Sequence, residues 1–178
     1  MNLEEKTKHT TSIYEGKIID LDVVDVELPD GRAGKREVVR HPGAVAIIAV
    51  TEEEKLVLVK QYRKPLGKEI YEIPAGKKEA GEEPKLTASR ELAEETGYVA
   101  NEMELLFSTY TSPGFADELI ELYEAKGLSQ GERSLDEDEF VEVIEVSLAE
   151  AEGLIKEGLI HDAKTVLAVQ HLRLQTFR

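Results

Sequence analysis

The apolar residues of this chain fall into short blocks, and the spacing within each block points to a particular element. Residues 12–19 and 21–28 alternate partly between β-branched or apolar side chains and polar ones, as half-buried strands do. Pro29-Asp30-Gly31 follows as a turn, because proline presets φ and Asp-Gly accepts a tight return. Residues 35–40 read as a third strand, so the front of the chain is expected to be a small antiparallel sheet. From Ala44 the pattern changes to an unbroken apolar run, AVAIIAV, the mark of a strand covered on both faces. Thr51–Lys55 reads as a hairpin turn, with residues 56–63 as the return strand and 69–76 as another strand. A helix is expected over Pro84–Thr96, with proline in the first turn and Gly97 just past the end. Residues 98–110 and 118–126 read as strands joined by Thr111–Asp117, and 127–139 as an acidic loop before a strand at 141–147. Ser147-x-x-Glu150 is a capping box opening a helix over 148–157, and Asp162 caps a last helix over 163–176. The order predicts a mixed α/β chain, with helices packed on a sheet.

Composition narrows the picture. At 178 residues, 41% hydrophobic and 33% charged, the chain has the make-up of a soluble globular domain. No apolar run approaches the ~20 residues that span a bilayer, and the polar start is unlike a signal peptide, so a cytoplasmic protein is expected. The absence of cysteine removes disulfides, thiolate metal sites and a cysteine nucleophile together. The net charge of −15 disfavours nucleic acid and anionic membrane as partners, since both need a surplus of Lys and Arg. A small phosphorylated substrate stays compatible if arginines and metal ions reverse the field locally.

One stretch is charged in an ordered way. In the expected helix, Glu91, Glu94 and Glu95 lie three or four residues apart and project to neighbouring positions. Like charges at that spacing destabilise a bare helix by a few tenths of a kcal/mol, roughly, per pair. A hard divalent cation with oxygen ligands would offset the repulsion; a solvated acidic face is the alternative reading. The four histidines are scattered and form no zinc pattern.

The full spacing, Gly76-x5-Glu82-x7-Arg90-Glu91-Leu92-Ala93-Glu94-Glu95-Thr96-Gly97-Tyr98, resembles the Nudix box of the Nudix hydrolase family. Every fixed position matches; Tyr98 stands where an aliphatic residue is commoner. The resemblance implies an α/β/α sandwich with a mixed sheet, and a loop–helix–loop that binds Mg²⁺ or Mn²⁺ and cleaves a nucleoside-linked diphosphate. Two or three ions per site are implied, held by Glu91 and Glu95 with Glu94 as a further or alternate ligand, and by the carbonyl of Ala75. Arg90 would pair with Glu82 to fix the helix against its loop, with Gly76 and Gly97 as structural members of the motif.

Other residues resemble the ADP-ribose pyrophosphatase branch of that family. Pro113 lies sixteen residues after Gly97, within Ser112-Pro113-Gly114, which is also an ordinary turn sequence. Glu137 and Glu139 match an E-x-E loop preceding a strand, implying Glu137 as general base and Glu139 as an added metal ligand, in an assignment that is exchangeable on sequence grounds. Arg63 and Arg36 match arginines that reach the diphosphate or the adenine side. Glu118 matches an acid after the turn, and Tyr14 and Phe115 are candidates for stacking or for core. The branch further implies that residues 1–42 form a β-rich homodimerisation segment ahead of a hydrolase domain over 43–178. The expected reaction is hydrolysis of ADP-ribose to AMP and ribose 5-phosphate. Another nucleoside diphosphate sugar, a dinucleotide or a nucleoside triphosphate is the alternative substrate, and a non-catalytic ADP-ribose sensor the alternative class.

Overall fold

Alternation and turn chemistry build the first sheet. In the computed structural model, which describes residues 2–79, 81–135 and 140–175, β1 (Lys6–Glu15), β2 (Asp20–Glu27) and β3 (Ala33–Arg40) pair antiparallel in that order. The first strand differs from its expected span of 12–19. Residues 16–19 are the return, closed by the Gly16 N–H donating to the Ile19 carbonyl at 3.0 Å. Residues 6–11, KTKHTT, carry no apolar side chain, so only backbone pairing marks them as strand, and no periodicity announces it.

The chain divides into two units. The first runs to Gly43 and takes in Thr109–Ile120; the second holds Ala44–Ser108 and the chain from Glu121 on. Within the first, Val24 and Val26 of β2 are buried, and the 111–118 loop fastens to β3. The Val39 N–H donates to the Phe115 carbonyl at 2.7 Å, and the Asp117 N–H donates back to the Val39 carbonyl at 3.1 Å. Asp117 also accepts from the His41 amide at 2.8 Å and from Arg40 at 3.0 Å.

Most of the second unit's described strands belong to two sheets. One orders β10 (Val141–Val146), β5 (Leu56–Arg63) and β6 (Lys68–Glu72), with both pairs antiparallel. The other orders β7 (Ala75–Lys77), β4 (Ala44–Ala49), β9 (Leu119–Gln130) and β8 (Tyr98–Tyr110). The expected hairpin between β4 and β5 is not a ladder: one bridge, Val50 to Leu56, joins them before they enter different sheets. That separation accounts for the burial of all six β4 residues and of Leu56–Val59. The expected strand over 69–76 is likewise two, because Pro74 has no N–H for a ladder. The Pro74 carbonyl still accepts from Ile47, at 2.8 Å.

Among the described residues the helices of the unit are α1 (Pro84–Thr96), α2 (Leu148–Lys156) and α3 (Ala163–Gln175). Helix α1 packs on β4 and β7 and also meets β5 and β10; α2 lies on β10 and against α3. Leu92 and Ala88 on α1 join Val45, Ile47 and Val57 in the core. The capping box of α2 forms as expected, Glu150 accepting from the Ser147 amide at 2.7 Å. The Ser147 hydroxyl, donating to the same carboxylate at 2.6 Å, and then the amide hold the Glu150 carboxyl down to about 2. Asp162 caps α3 by accepting from the Thr165 amide at 3.2 Å.

Candidate active site

Helix α1 is anchored at both ends by its sequence. Pro84 opens it where a missing N–H costs nothing. Gly97 closes it in the left-handed region at φ +79°, its N–H donating to the Ala93 carbonyl at 2.9 Å. Leu92 and Ala88 bury one side of the helix and so fix which way its acids point. Glu95 is buried at 4% exposure, and one of its oxygens accepts from the Ala75 amide at 3.0 Å. Glu91 lies directly on the Gly76 backbone: a Cβ built on Gly76 would fall 1.8 Å from the Glu91 carboxyl carbon. Two acids one turn apart on a rigid helix thus converge on the two-residue step Ala75–Gly76.

Arg90 makes more contacts than its expected bond to Glu82. It meets Glu82 through Nε and Nη2, both at 3.1 Å, while Nη1 donates to Glu91 at 2.9 Å and to Glu94 at 2.8 Å. The Arg90 hydrogen bond is the main cause that holds the Glu82 carboxyl down at about 2. Glu82 in return raises the Arg90 guanidinium above its ordinary value, against partial burial. The loop after Gly76 is tied down by Lys78, which donates to Glu121 at 3.2 Å. Tyr98, the departure from the usual motif, spends its hydroxyl on Glu145 of β10 at 2.5 Å, and that bond pushes the phenol up to about 12.

The donor set is oxygen throughout: carboxylates of Glu91 and Glu95 beside the Ala75–Gly76 backbone, with Glu94 held next to them by Arg90. It fits a hard divalent ion, which keeps several waters and shares its coordination with substrate phosphates. Among the described residues no three acidic or histidine side chains gather into an ion cage by themselves. Glu137 and Glu139 lie outside the described residues.

The remaining candidates are spread over both units. Arg63, at the end of β5, meets the buried Glu72 through Nε at 2.6 Å and Nη2 at 3.1 Å. Burial works against the Arg63 charge, but Glu72, and beyond it Glu95 and Asp162, outweigh burial and raise its pKa. In the first unit, Arg36 donates to Glu5 through Nε at 2.8 Å and through Nη2, and to the Lys35 carbonyl at 2.8 Å, on a side chain that stays exposed. Pro113 sits in the loop closed by Phe115 and Ala116 donating to the Ser112 carbonyl, at 3.1 and 2.9 Å. Glu118 accepts from the Thr111 hydroxyl at 2.6 Å. Tyr14 and Phe115 are exposed rather than core. A surface recess of about 410 Å³, bordered by Tyr62 of β5 and Phe140 just before β10, lies on the second unit.

Glu72 and Lys164, absent from the motif, form one charged network with Arg63 and the helix-capping Asp162. The signal for Glu72 was available. It alternates with Ile70 on the inward face of β6, and a carboxylate at an inward strand position needs a cation. Lys164 has no such mark.

Residues 40–169 match the family described as NUDIX domain, and the chain belongs to that family. It is 62% identical over 174 residues to a methanol dehydrogenase activator of Bacillus methanolicus, covering 97% of this chain and 94% of the relative. It is 56% identical over 176 residues to an ADP-ribose pyrophosphatase of Bacillus subtilis (strain 168), covering 98% and 95%. A solved structure described as an ADP compounds hydrolase superposes with a TM-score of 0.86 over 98% of this chain and 96% of its own, at 21% identity. That likeness establishes the fold.

Proposed function

We propose that this Nudix protein hydrolyses the diphosphate of ADP-ribose to AMP and ribose 5-phosphate with Mg²⁺, for which Mn²⁺ substitutes. The observation that carries the reading is the convergence of Glu91 and Glu95 on the Ala75–Gly76 backbone. The ADP-ribose pyrophosphatase relative, matched over nearly both full lengths, supports the substrate. Two or three bound ions would offset the diphosphate charge and favour ionisation of the attacking water. Glu91, Glu95, Glu94 and the Ala75 carbonyl would hold them, with Glu139 added. Arg90, braced on Glu82, keeps the acids of α1 in place and screens their mutual repulsion. Glu137 takes the proton of the attacking water. Arg63 contributes a planar fork of N–H groups that suits diphosphate oxygens, with Arg36, Pro113 and Glu118 completing the substrate contacts. Residues 1–42 form the dimerisation segment and 43–178 the hydrolase domain, in a cytoplasmic protein; among the described residues no helix is long and apolar enough to cross a membrane.

A product assay with Mg²⁺ across ADP-ribose, ADP-glucose, GDP-mannose, diadenosine polyphosphates and deoxynucleoside triphosphates tests the reading. ADP-ribose is expected to give the highest kcat/KM. A tenfold preference for another compound overturns the substrate and leaves the family intact.

The 62% identical relative favours a second reading, activation of a methanol dehydrogenase. Adding this chain to a purified methanol dehydrogenase should then raise its rate. Loss of the effect in Glu91→Gln would tie activation to the hydrolytic site, and its persistence would mark a binding activity.

A further inference from the structure

The guanidinium of Arg63 has two distinct edges. The inner edge, Nε and Nη2, is bound to Glu72, whose side chain is 3% exposed, while the Arg63 side chain is 39% exposed. Among the described residues Nη1 has no hydrogen-bond partner, and it belongs to the outer edge of a side chain that stays partly exposed. Glu72 is itself held from behind. Lys164, 11% exposed at the start of α3, donates to Glu72 Oε1 and, at 2.9 Å, to Asp162 Oδ2. The neighbouring Thr165 hydroxyl accepts from the Ile73 amide at 2.9 Å and so clamps the residue after Glu72. Three residues beyond Glu72 is Ala75, whose amide binds Glu95.

We infer that Lys164 is a positioning residue for the reaction: it holds Glu72 so that Arg63 keeps its outer edge turned toward the substrate diphosphate. This rests on Arg63 being a substrate contact, as proposed above. The four side chains balance, two cations against two carboxylates. Without Lys164, Glu72 and Asp162 share a single cation. Asp162 Oδ1 is buried with no hydrogen-bond partner among the described residues, and the Asp162 charge already acts on Arg63. The guanidinium is drawn inward, and its outer N–H groups leave the position where a diphosphate would meet them. Lys164 itself touches no reacting atom.

The test compares KM and kcat for ADP-ribose in Lys164→Gln, Lys164→Arg, Arg63→Gln and the Arg63→Gln/Lys164→Gln double variant. Lys164→Gln is expected to raise KM about tenfold with kcat within about twofold, the signature of lost binding shared by ground and transition states. Lys164→Arg, which keeps the charge, is expected to restore KM to within about threefold of wild type. The double variant should show no higher KM than Arg63→Gln alone, because Lys164 acts through Arg63. If Lys164→Gln fails to fold, the charge-balanced Glu72→Gln/Lys164→Gln variant replaces it. A raised KM in that variant supports positioning, whereas a wild-type KM shows that the network serves only folding. An unchanged KM in Arg63→Gln removes the substrate role of Arg63 itself. A raised KM there with an unchanged KM in Lys164→Gln overturns only the positioning role of Lys164.

Discussion

Gly76 is needed for space rather than for conformation, since the carboxylate of Glu91 occupies the volume its Cβ would take. Gly76→Ala therefore forces Glu91 away from the Ala75–Gly76 step. The clash is with the far end of a flexible side chain, so the fold can absorb it while the metal site loses its geometry. Misplacement of a functional group by about 1 Å can cost on the order of 10²-fold in rate. Gly76→Ala is expected to lose that much kcat/KM while its thermal midpoint stays close to wild type; activity within twofold of wild type would contradict the placement of Glu91. Glu82 permits a prediction in pH. Its folded-state pKa of about 2 lies below the ordinary 4.5, mainly through Arg90, so protonation opposes the folded state. The stabilisation is complete above pH 4.5 and fades as pH falls toward 2. The difference in unfolding midpoint between wild type and Glu82→Gln should shrink across that window, and a difference constant with pH would exclude the charge as its source.

At the scale of elements, the chain is most legible where its side chains are constrained on one face. Helix α1, β5 and β8 have the boundaries the sequence predicts, because caps, proline, glycine and turn residues mark their ends. The Nudix spacing was visible for the same reason: a helix that must present acids to a loop and leucine to a core leaves little freedom at each position. Legibility fails where the backbone alone decides. Residues 6–11 form strand with every side chain exposed, so nothing in their polarity records it. The parting of β4 and β5 into separate sheets is a tertiary choice, and two adjacent apolar blocks look the same whether or not they pair. The charged network behind Arg63 joins residues about ninety positions apart, Glu72 and Lys164, and single-sequence periodicity contains no term for such a contact.

For the whole molecule, the two edges of the first sheet differ. One edge is closed, since β3 bonds to the 115–117 segment through Val39. The opposite edge is β1, ten residues with every side chain exposed and with β2 as its described strand neighbour. Leu3, Ile13, Tyr14 and Ile18 near it are all more than half exposed, at 72%, 55%, 57% and 52%. A three-stranded sheet is stable when one face or edge is covered, and an open edge invites pairing with another chain. A second copy offers the same edge and the same apolar residues, which is the self-complementary surface a twofold dimer requires. Light scattering at micromolar concentration is therefore expected to give twice the 19.9 kDa chain mass. Ile13→Asp should shift that mass toward one chain, because a carboxylate in the contact would lose its water without a partner. If the partner copy also completes the substrate site, specific activity should fall on dilution in parallel with dimer dissociation. A mass of one chain with wild-type residues at micromolar concentration removes the dimer, and activity independent of dilution through the dissociation range removes its part in catalysis.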